Sequence, residues 1–120
     1  LKSNKNGFTW ENLVNYNLDK LKNHLELQFT RNMTWRKFLD GKIHIDHIIP
    51  KSAFKYNSYN DESFKLCWDL KNLRPEWSEL NLSKNDILPD GSNARQMKYK
   101  IKTLEDYLYV LHNNGLNYDI

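Results

Sequence analysis

The stretch Ile43-His44-Ile45-Asp46-His47-Ile48-Ile49-Pro50 constrains this chain more than any other. Apolar and polar residues alternate from Ile43 to His47, the period of a half-buried strand. The polar partners are imidazoles and a carboxylate rather than surface Lys or Thr, a costly choice for a strand without chemistry. The stretch has an answer downstream in Asn72-Leu73-Arg74-Pro75, followed by Asn81 and Lys84. An Asp-His pair, with an amide brought back to it by a later helix, offers a hard-metal oxygen ligand. It also offers a group that takes a proton near neutral pH. The pattern points to metal-assisted hydrolysis.

The chain is short enough, at 120 residues, that residues 1–120 are expected to form one domain with a single core. A single cysteine, Cys67, forbids an internal disulfide and excludes Cys-x-x-Cys zinc clips; beside Trp68 it reads as a small buried hydrophobe. A net charge of +3 permits a polyanionic partner without demanding one. No apolar run approaches the roughly 20 residues that span a bilayer, and no signal segment opens the chain, so no membrane partner is expected. The first residue is Leu1 rather than Met, which fits a fragment or domain of a longer protein.

Helices are expected before the strand. Residues 1–7 read as a polar, mobile tail; Thr9 is placed to cap a short helix through Trp10 and Leu13, and Asn17 a second from Leu18 to about Gln28. In the latter, Leu18, Leu21, Leu25 and Phe29 form one stripe, with His24 beside it as a structural or surface residue. Thr34 caps a third helix to Leu39, and Gly41 stops it. After Pro50 a long polar loop runs from Lys51 to Asp61, and a brief helix carries Phe64, Cys67 and Trp68. Asn72-Leu73-Arg74 then reads as a short return strand stopped by Pro75, and Ser78 as the cap of a helix through Asn81 and Lys84. Beyond the turn Pro89-Asp90-Gly91, Met97, Ile101, Leu104, Leu108 and Leu111 predict a helix from about Ser92 to Gly115. Lys98, Lys100 and Lys102 would lie on its solvated face, or alternatively touch phosphate.

Phosphodiester cleavage needs an activated water and a cation to stabilise charge on the phosphate and the leaving oxygen. Asp46 offers an anionic oxygen and Asn81 an amide oxygen, the sparse protein coordination that Mg²⁺, or Mn²⁺, takes. His47 is the candidate general base, and Lys84, one turn beyond Asn81, a candidate phosphate contact. His44 shares the side of Asp46 on an ideal strand, so it touches phosphate or metal, or is simply packed and hydrogen-bonded. Arg74 is either a surface cation or a phosphate contact.

The run from Trp10 through Asp86, about two-thirds of the chain, resembles the HNH endonucleases with their ββα-metal fold. The resemblance is to a phage and bacterial subgroup. It is carried by Leu13-Val14-Asn15-Tyr16, His24-Leu25-Glu26-Leu27-Gln28-Phe29, Met33-Thr34-Trp35 and Ile45 to Pro50, in order and spacing. It implies Asp46 and Asn81 as metal ligands, His47 as the base, and Asn72 as the residue whose side chain pins the long loop. Many members carry a third His where this chain has Asn81. The subgroup, like the nuclease domain of some CRISPR effectors, has Asn there, which shifts the expected ion from zinc or nickel toward magnesium or manganese.

The expectation is an α+β domain: a helical lead-in over 8–41, a ββα-metal core over 42–88 and a C-terminal helix over 92–115. Its expected activity is DNA endonuclease cleavage of one strand per site. Target choice would come from a larger parent protein or complex, or the chain would be a phage or mobile-element endonuclease in the cytoplasm of a bacterial or phage-infected cell. Two other classes compete. A catalytically silent nucleic-acid-binding or assembly module would lack a catalytic residue, and none is missing. A nuclease toxin would come with an acidic immunity partner.

Overall fold

The computed structural model describes residues 10–118. The expected N-terminal tail and the Thr9 cap lie outside the described residues. The described chain is an α+β domain whose sheet has two antiparallel strands, β1 (Ile43–His47) and β2 (Leu73–Trp77). Three helices precede the sheet: α1 (Trp10–Leu13), α2 (Leu18–Leu27) and α3 (Trp35–Leu39). Helix α4 (Glu62–Cys67) lies between the strands, and α5 (Ser78–Lys84) and α6 (Leu104–Asn113) follow them. No helix among the described residues is long and apolar enough to cross a membrane.

The lead-in follows its caps. Asn17 Oδ1 accepts from the Lys20 N–H and Thr34 Oγ1 from the Lys37 N–H, each satisfying a donor the first helical turn leaves open. Gly41, at φ +79°, supplies the left-handed residue that turns α3 into β1. Leu21 and Leu25 of α2 are buried against Leu73 of β2, so the stripe read from sequence is the face that covers the sheet. His24 is structural: its Nε2 bonds the Leu73 carbonyl at 2.8 Å.

Four features differ from expectation. Pro75 does not stop the return strand; it sits in the middle of β2 opposite Ile45. The bonds Ile48 N–H to Asn72 O and Ser78 N–H to Lys42 O fix the ladder phase. In that phase residues 74 and 76 face β1, while residue 75 directs its backbone outward, where a missing N–H costs no ladder bond. Ser78 is not a cap either. The strand passes straight into α5 at Trp77, and no side chain caps that end. Helix α5 ends at Asn85, whose φ of +47° redirects the chain.

The C-terminal helix begins at Leu104, not near residue 92. Residues 94–96 form one tight turn, and Ile101 instead bridges in parallel to Phe54. Thr103 and Asp106 form a reciprocal capping box that sets the true start of α6. The buried face is Tyr107 and Leu111, whereas Leu104 and Leu108 of the predicted stripe are 39% and 40% exposed. The same bridge changes the loop after Pro50. Its first residues make a turn, Lys51–Ala53, and Ala53 and Phe54 are buried rather than solvated. Cys67 is fully buried in this core with Ile49, Ile101 and Tyr107, and burial pushes its thiol up to about 12.

Candidate active site

Strand register brings the polar residues of both strands together. Asp46 lies opposite Arg74, with His44 two residues along the same face, and α5, leaving β2 without a loop, lays Asn81 and Lys84 across that face. Asp46 is 3% exposed and bonded at both oxygens, Oδ2 to Arg74 Nε at 2.8 Å and Oδ1 to Lys84 Nζ at 3.1 Å. Lys84 Nζ also donates to the His47 carbonyl at 2.7 Å. A carboxylate so buried requires compensation, and two cations from different elements provide it.

Asn81 Nδ2 lies 3.2 Å from His44 Nδ1. An amide nitrogen only donates, so His44 accepts through Nδ1, and the Asn81 oxygen is the end of the amide left for another partner. His44 therefore holds the amide rather than standing alone on the strand. Asn72, 1% exposed, accepts from the Ile49 N–H through Oδ1 at 2.8 Å. Its Nδ2 donates to the Ile49 and Cys67 carbonyls at 3.1 and 2.9 Å. It ties the end of the first strand to the end of α4.

His47 is 8% exposed, with its ring edge-on to Trp68 at 4.3 Å between centroids. Its Nε2 is buried and has no protein hydrogen-bond partner among the described residues. Burial, with Lys51 and Lys84 adding like charge, lowers its pKa to about 3, so the imidazole is neutral at physiological pH. A buried polar atom without a partner is destabilising, and a water or hydroxyl bonded to it would relieve that cost. The shift also carries a pH signature. The unfolded chain takes the His47 proton near pH 6.5 and the folded chain only near pH 3. Stability is therefore fully present above pH 6.5 and lost as pH falls through that window. Denaturant unfolding at pH 7 and pH 5 should show a loss of about 2 kcal/mol. A His47→Gln variant should lack that component; an equal loss in both proteins would refute it.

Asp46, His47, Asn81 and Lys84 all border one open cleft of about 590 Å³, together with Trp68, Lys51, Ser52, Asp86 and Arg95. Asp46 and Asn81 are donors of the hard type that Mg²⁺ and Mn²⁺ take, and each Asp46 oxygen keeps a lone pair beyond its bond to a cation. No cluster of three or more His, Cys, Asp or Glu side chains suited to a metal occurs among the described residues. That donor chemistry fits such an ion, and Arg74 and Lys84 hold the Asp46 oxygens.

Sequence reasoning missed Lys51, Trp68, Asp86 and Arg95. Asp86 carries a weak signal, two residues after Lys84; Arg95 carries none, because the spacing of the apolar residues predicts helix there. The chain was compared with protein-family models, with curated proteins and with solved structures, and none matches.

Proposed function

We propose that this protein is a metal-dependent endonuclease that hydrolyses phosphodiester bonds of DNA, with a ββα-metal core of the HNH type formed by β1, β2 and α5. One observation carries the reading: Asp46, His47, Asn81 and Lys84 border one cleft, with the neutral His47 Nε2 lacking a protein partner among the described residues. Asp46 and Asn81 would hold Mg²⁺ or Mn²⁺, which when bound supplies positive charge against the scissile phosphate and the leaving oxygen. His47 accepts the proton of the attacking water at Nε2. An arriving phosphodiester, being anionic, opposes the charge of Lys51 and Lys84 and raises the basicity of that nitrogen. Lys84 fixes the Asp46 carboxylate and the His47 backbone, so that base and metal ligand stay in one arrangement. One site cuts one strand, and a larger parent protein or complex chooses the target.

The competing reading is a silent nucleic-acid-binding module, favoured by the two cations already seated on Asp46. Supercoiled plasmid incubated with and without Mg²⁺ or Mn²⁺ separates the two. The endonuclease nicks it only with the ion, and an intact plasmid under all conditions supports the silent module. Metal calorimetry on a His47→Ala background extends the test to Asn81. Asn81→Ala should lose the ion and Asn81→Asp should keep it. Asn81→His should turn preference toward Mn²⁺, Ni²⁺ or Zn²⁺, which accept imidazole more readily. Unchanged Mg²⁺ affinity in Asn81→Ala would remove Asn81 as a ligand.

A further inference from the structure

The mouth of the cleft carries an arginine that the resemblance does not reach. Arg95 belongs to the turn Ala94–Gln96, far from the strands in sequence, and that turn is fixed at several points. Ala94 is fully buried, its N–H bonds the Asp86 carbonyl at 2.8 Å, and Asn93 Oδ1 accepts from the Arg95 N–H at 2.9 Å. The turn packs against the Lys51–Ala53 turn. Asp86 joins the two: Oδ1 accepts from the Ser52 hydroxyl at 2.7 Å and Oδ2 from Arg95 Nε at 2.5 Å. Those bonds, Ser52 first, hold its carboxyl below the usual range.

The cations paired with Asp46 and Asp86 differ in exposure. Lys84 and Arg74, both committed to Asp46, have side chains 17% and 38% exposed, while that of Arg95 is 73% exposed. Arg95 uses Nε on a nearly buried carboxylate, which fixes the plane of the guanidinium and leaves the two terminal nitrogens for a planar, two-oxygen acceptor. A surface ion pair alone would contribute little to stability; this one orients a cation at the cleft.

We propose that Arg95, positioned by Asp86, is a phosphate-binding residue that grips a backbone phosphate of the polynucleotide flanking the one that is cut, with Lys51 lining the same cleft. The assignment rests on the endonuclease reading and extends it to a segment outside the ββα unit. The bond to Asp86 is retained when the phosphate is bound, and no covalent step is involved.

The test uses the full chain with His47→Ala, so that nothing is cut, and a fluorescent DNA duplex titrated over a salt series. Arg95→Gln should weaken binding several-fold and lower the slope of log affinity against log salt by about 0.9, the release of one phosphate's counterions. Arg95→Lys keeps a charge and should keep the slope. Arg36→Gln on α3, away from the cleft, should change neither. Asp86→Asn separates positioning from general attraction. Removing a negative charge would by itself tighten binding, whereas loss of the Arg95 anchor should weaken it. Thermal melts of every variant report folding separately. An unchanged slope in Arg95→Gln, or tighter binding by Asp86→Asn, overturns the assignment while leaving the endonuclease reading in place. A parent protein with no salt-dependent binding overturns the reading and the assignment together.

Discussion

His47→Ala should reduce cleavage by about 10²–10⁴-fold while leaving DNA affinity nearly unchanged. The variant removes a buried imidazole nitrogen that has no protein partner among the described residues, and it spares both bonds that fix Asp46 and the bond from Lys84 to the residue-47 carbonyl, which belongs to the backbone. The effect should therefore fall on the chemical step: kcat drops and KM holds. Folding should not suffer the full cost of a core deletion, because the ring packs against Trp68 but leaves a nitrogen unsatisfied. Single-turnover cleavage with excess enzyme and saturating Mg²⁺ is the measurement. A variant retaining more than about a tenth of the parent rate would strip His47 of the role of base.

Asn72→Ala should be the most damaging polar substitution for folding, costing about 3–5 kcal/mol. Its side chain serves three buried backbone groups: the Ile49 N–H, the Ile49 carbonyl and the Cys67 carbonyl. Each loses a partner where water does not readily reach, and a domain of this size has only about 5–15 kcal/mol to lose. Asn72→Asp keeps the acceptor for the Ile49 N–H but loses the donor for both carbonyls and buries a charge beside them, so it should be no better. Denaturant unfolding of both variants decides the matter; a loss below about 1 kcal/mol in Asn72→Ala would mean that water replaces the amide. Because Asn72 holds Ile49, the residue before Pro50 on the cleft wall, surviving Asn72→Ala should also cleave poorly.

The elements legible in the sequence were those with local causes. Asn17, Thr34 and Gly41 set helix ends through bonds and backbone freedom confined to a few residues, and the structure uses all three in this way. The strand pair followed from alternation and from the placement of Asn72. Pro75 misled because a proline ends a strand only where its N–H would have met a neighbour, and which side of β2 is paired is a property of the register. The C-terminal helix was extended too far because Met97 and Ile101 fall by coincidence at helical spacing from Leu104. Ile101 is buried through its bridge to Phe54, a contact 47 residues back in the numbering. The signal that would have corrected this, Thr103 with Asp106, was present and unread. At the site, spacing could propose Asp46, His47 and Asn81 as partners, but the convergence of Lys51, Asp86 and Arg95 arises only when two distant turns pack together.

The outward edge of β2 has a consequence for how the protein coexists with other chains. A two-stranded sheet exposes open edges on which a foreign strand could add and aggregate. On β2 that edge is blocked at three points. The Leu73 carbonyl is taken by His24 and Gln28. Residue 75 is a proline with no N–H to give, and the Trp77 N–H is folded back onto Glu76 Oε1 at 2.8 Å. A recruited strand would find no run of free donors and acceptors to zip against. The proline that sequence logic took for the end of the strand thus guards its flank, leaving the cleft on the sheet's other side to meet a partner through side chains rather than through backbone pairing.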